Sequence, residues 1–93
     1  SSETFVLRVR GASMEPKFRE GELIFVDPLA PVGHGKYVVV RLEESNEVTF
    51  KQWIEEEGKK YLKTLNPDWP NRIIEVTPDA RVCGVIVFKG EAL

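Results

Sequence analysis

Phe5, Leu7 and Val9 alternate with Val6, Arg8 and Arg10 along Thr4 to Arg10, the period-two rhythm of a strand with one well-buried side. Gly11 ends that run, and Ala12-Ser13-Met14-Glu15-Pro16 follows as a connection, because proline neither donates to a ladder nor sits inside a helix. Glu22 to Val26 and Lys36 to Leu42 are nearly continuous apolar runs bounded by turn signals (Asp27-Pro28; Gly33-His34-Gly35), and both read as strands buried on two faces. Past a hairpin turn at Glu43 to Asn46, Glu47 to Ile54 alternates again. Val48, Phe50, Gln52 and Ile54 oppose Thr49, Lys51 and Trp53, so Lys51 shares a face with Trp53 and not with Phe50.

Lys59 to Thr64 reads as a short strand after a turn at Glu55 to Gly58. Two prolines make Leu65-Asn66-Pro67-Asp68-Trp69-Pro70 a rigid loop; Ile73 to Val76 reads as an edge strand and Ala80 to Lys89 as a closing strand, with Gly84 at a bend or close contact. No helical apolar stripe exceeds a turn or two, and no repeat is present. The pattern predicts a mainly β fold: a compact, strongly bent antiparallel sheet or partly closed barrel.

Ninety-three residues, 42% hydrophobic and 30% charged, give one domain over 1–93 with a core of its own. A net charge of -2 lacks the clustered basic excess of a nucleic-acid-binding surface. The longest apolar runs are strand-sized, far below the roughly 20 residues of a membrane span, and Ser1-Ser2-Glu3-Thr4 does not resemble a signal peptide. Cys83 is alone, which fits a reducing cytoplasm. With one Cys and one His no Cys/His metal cluster can form, no cofactor is expected, and His34 reads as a loop residue.

A serine hydroxyl attacks only when a base takes its proton, and with His34 set aside lysine is a candidate, provided burial keeps it neutral. Lys51 is the lysine set centrally in an apolar strand, with Thr49 and Trp53 on its own face. Local pattern by itself favours Lys51 as a solvated strand residue and Ser13 as a turn or helix cap.

Four ordered blocks bear on that choice. Gly11-Ala12-Ser13-Met14, followed by Gly21-Glu22-Leu23-Ile24-Phe25-Val26-Asp27-Pro28, resembles the nucleophile region of the LexA-like serine-lysine peptidases. Thr49-Phe50-Lys51-Gln52-Trp53 resembles the strand bearing that family's lysine. Leu65-Asn66-Pro67-Asp68-Trp69-Pro70 resembles a loop of lambdoid phage repressors, and Val82 to Val87 looks like the family's closing strand. The blocks cover about Thr4 to Phe88. Glu22 departs from the usual Asp, and Trp53 and Trp69 stand where Leu and Tyr are common.

The resemblance implies Ser13 as nucleophile and Lys51 as general base, with backbone N–H groups near Ser13 as oxyanion donors and Met14 as a positioning residue. It implies the C-terminal domain of a cytoplasmic transcriptional repressor that forms homodimers and cleaves itself, stimulated by a RecA filament, to relieve repression in the SOS response. Operator DNA would be bound only through a separate N-terminal domain, and no membrane is involved. No Ala-Gly occurs in the chain and its Cys83-Gly84 lies inside a strand, so the scissile bond is expected upstream of Ser1. The alternatives are an oligomerisation module with little proteolysis and a UmuD-like polymerase accessory. Type I signal peptidases share a Ser-Met-x-Pro string with Ser13 to Pro16, but their larger, membrane-anchored catalytic domains fit poorly.

Overall fold

A computed structural model describes residues 1–93. Seven strands form it, with no helix: β1 (Phe5–Arg8), β2 (Leu23–Asp27), β3 (Tyr37–Leu42), β4 (Glu47–Glu56), β5 (Lys59–Lys63), β6 (Ile73–Glu75) and β7 (Ala80–Gly90). They make one antiparallel sheet in the order β1-β2-β7-β3-β4-β5-β6, open at β1 and β6. Each expected strand is present within a residue or two. The antiparallel, mainly β architecture is as the hydrophobic pattern predicts.

Two apolar clusters lie on opposite faces of the bent sheet. Val9, Met14, Phe18, Ile24, Val26 and Val39 make one, joined by Leu7, Tyr37 and Phe50; Val38, Val40, Trp53, Leu62 and Val85 make the other. Adjacent Val38, Val39 and Val40 are all buried, so β3 is covered on both faces, as its unbroken apolar run predicts. Each buried valine contributes about 1.5 to 3 kcal/mol relative to exposure.

β2 departs from the same expectation. Ile24 and Val26 are buried while Leu23 and Phe25, on the other face of β2, are only partly so. Phe25 and Phe88 pack edge to face at 5.5 Å, and with Val6, the cross-strand partner of Phe25, they form an apolar row over β1, β2 and β7 in which Val6 and Phe88 are exposed and Phe25 is half-buried.

Gly84 is a close-contact residue. A Cβ there would lie 2.7 Å from the Val26 side chain and 3.0 Å from the Asp27 backbone, beside a β-bulge that shifts the β3–β7 register between Val39 and Val40.

Candidate active site

Ser13 sits in the connection from β1 to β2. Pairing outlasts β1, with Val9 N–H donating to Glu22 O at 2.8 Å and Gly21 N–H to Val9 O at 2.9 Å. Gly11, at φ 77°, then turns the chain through a left-handed conformation that L residues resist. The turn closes with Glu15 N–H on Ala12 O and Phe18 N–H on Met14 O. Met14 and Phe18 anchor it, each 1 to 2% exposed, and Phe18 meets Tyr37 and Phe50 edge-on at 5.0 and 5.3 Å. Met14 is thus the packing residue that holds its neighbour Ser13 at the surface of the core.

A second anchor comes from far along the chain. Asn66 N–H donates to Ser13 O at 3.0 Å, and Asn66 Nδ2 donates to Ala12 O at 2.8 Å. Asn66 reaches that position because β5 leaves β4 early: its ladder covers Gln52 to Glu56 and no further, leaving Glu47 to Lys51 without a β5 partner. The chain leaving β5 grips the Ser13 turn instead. Ser13 accordingly lines a pocket of about 240 Å³ with Leu7, Ile24, Val39, Val48, Thr49 and Phe50, and with Arg8 and Arg10 also contributing.

Lys51 is the next residue along β4 from that wall. It stands opposite Val38, with Phe50 opposite Val39, so it lies on the Trp53 side of the strand as alternation predicts. Half-buried, it takes part in none of the three ion pairs. Desolvation holds its pKa below the ordinary lysine value of 10.5. No hydrogen bond joins Lys51 Nζ to Ser13 Oγ in this structure, and Lys51 itself is not part of the pocket lining. The N–H groups of Ser13 and Met14 have no backbone acceptor.

His34 is an exposed loop residue whose Nδ1 accepts the Glu55 N–H at 2.9 Å. Trp53 is buried, its indole N–H donating to Glu55, whereas Trp69 is 41% exposed. Asn66 was visible in sequence only as part of a family-like loop. A contact spanning 54 positions leaves no local signal of an anchoring role.

A family model described as Peptidase S24-like matches residues 1–87. The chain belongs to the Peptidase S24-like family. Among its relatives, the prophage repressor CohE of Escherichia coli (strain K12) is 41% identical over 88 residues, 95% of this chain and 39% of that protein. Repressor protein C2 of Salmonella phage P22 is 41% identical over 91 residues, 94% of this chain and 41% of its own length. A LexA repressor of Cupriavidus pinatubonensis is 40% identical over 75 residues, 80% of this chain and 33% of that repressor. This S24-like chain therefore spans about two fifths or less of the curated relatives it matches. No helix in it is long and apolar enough to cross a membrane.

Proposed function

We propose that this S24-like chain is the C-terminal domain of a transcriptional repressor that dimerises and cleaves its own upstream linker through Ser13 and Lys51, stimulated by a RecA filament. Lys51, when neutral, takes the proton of Ser13 as Oγ adds to the linker carbonyl, with the N–H groups of Ser13 and Met14 as oxyanion donors. Collapse breaks the C–N bond, the Lys51 ammonium returns the proton to the leaving amine, and water then hydrolyses the acyl ester and frees Ser13. The observation that carries this reading is that the Ser13 turn, tied down by Asn66, shares a pocket with Thr49, which lies on the same side of β4 as Lys51 along the stretch that β5 leaves uncovered.

Peptidase family membership supports the chemistry, and relatives named as repressors support the context. The apolar row of Val6, Phe25 and Phe88 supports self-association, because a row of this kind on one face suits the self-complementary patch of a two-fold dimer. DNA is then held by a separate N-terminal domain, in keeping with the net charge of -2 here.

The test is to express the chain with its upstream linker and incubate it at alkaline pH. Cleavage of the wild type, with Ser13→Ala and Lys51→Ala both intact, is the expected result. A wild type that stays as whole as the two variants overturns the reading.

A further inference from the structure

The pocket beside Ser13 has a lopsided character. Its floor is apolar, from Leu7, Ile24, Val39 and Phe50, and the exposed Val48 extends that surface toward solvent. Its charged contributors are both cations, Arg8 at the end of β1 and Arg10 two residues beyond it. No carboxylate lines the pocket.

Neither arginine belongs to an ion pair. Arg8 is held in place, its Nη1 donating to Gly21 O at 3.0 Å. The Glu20 carboxylate, on the facing stretch of chain, accepts the Gly11 N–H at 2.9 Å. Arg10 is exposed and makes no hydrogen bond to the rest of the chain, which leaves its planar fork of donors open to a carboxylate from outside.

The geometry points to Arg10, supported by Arg8, as a specificity-determining residue that selects a linker carrying an acidic side chain beside an apolar residue seated in the Ser13 pocket. This inference rests on the proposed self-cleavage. An apolar side chain would bury against Leu7, Ile24 and Phe50, fixing the depth of the strand, and the carboxylate on Arg10 would fix its register relative to Ser13. Two anchors of different chemistry hold an extended peptide in one alignment where either alone permits sliding.

Charge reversal in the full chain with its linker tests this at alkaline pH. Arg10 is exposed, so Arg10→Glu leaves the core untouched. It is expected to slow cleavage by roughly three- to tenfold, the scale of an exposed ion pair exchanged for repulsion. Replacing the linker's acidic residue by Lys should slow the Arg10 protein by a similar factor and restore the rate of Arg10→Glu. Salt at about 0.5 M should narrow the difference between the two forms.

A linker with no acidic residue near the cut overturns the inference. So does an Arg10→Glu protein cleaved within twofold of wild type while Ser13→Ala stays whole, and this outcome leaves the Ser13–Lys51 reading standing. Cleavage that survives Ser13→Ala is the separate signature that the underlying reading has failed, and the inference falls with it.

Discussion

Val38 and Lys51 face each other across the β3–β4 ladder, a side chain with no solvent exposure beside an amine without an ion-pair partner. Burial favours the neutral amine, so the folded pKa lies below 10.5, the value the unfolded chain recovers. Between those two values the unfolded chain binds more protons, so the contribution of Lys51 to stability rises with pH through that window and levels off above it. Below the folded pKa both states are protonated and the full penalty applies. The difference in unfolding free energy between wild type and Lys51→Met, followed by urea denaturation across pH, should show this rise. Self-cleavage of the linker-bearing chain should climb through the folded pKa of Lys51, and a rate independent of pH up to 10.5 would count against Lys51 as the base.

Asn66→Ala removes both side-chain bonds, from Nδ2 to Ala12 O and from the Asp68 N–H to Oδ1, while leaving the Asn66 N–H bond to Ser13 in place. The expected cost is about 1 to 3 kcal/mol of stability, the usual net worth of two hydrogen bonds, with an unchanged denaturant slope. Cleavage should slow by more than stability alone explains, because the Ser13 turn loses one of its two ties. Equal stability and equal rate would show that the Asn66 side chain holds nothing.

Gly84→Ala places a methyl group against Val26, which is fully buried, and against the backbone of Asp27. Neither can retreat without shifting the core, so a loss of about 1 to 3 kcal/mol is expected by urea or thermal unfolding. A neutral substitution would mean that β2 and β7 lie farther apart than described.

Phe88→Lys replaces an aromatic ring that is 65% exposed in this chain and packed edge-on to Phe25. Sedimentation equilibrium should show the wild-type chain as a dimer and the variant shifted toward monomer, with little change in fold by circular dichroism. Wild type and variant sedimenting alike as monomers would remove this face from the account of dimerisation.

The strands were legible because their signals are local. The apolar run Tyr37-Val38-Val39-Val40 and the alternation through Lys51 and Trp53 gave span and facing directly. Family-like blocks pointed to Ser13 and Lys51, where local pattern alone favoured a cap and a solvated lysine. The uncovered outer face of β2 was not legible, since Leu23 and Phe25 carry the same apolar signature whether or not something packs over them. Nor was the grip of Asn66 on the Ser13 turn. It depends on β5 leaving β4 after Gln52, a tertiary divergence that no single stretch of sequence records.

Strand order also bears on timing. The β1–β2 hairpin joins the sheet only through β7, the last strand to emerge during synthesis, and the Ser13 turn additionally awaits Asn66. Such long-range closures come late in folding. A nascent chain therefore carries Ser13 on an undocked turn until nearly the whole domain has been made, so that any site built on this turn comes into being only with the finished fold.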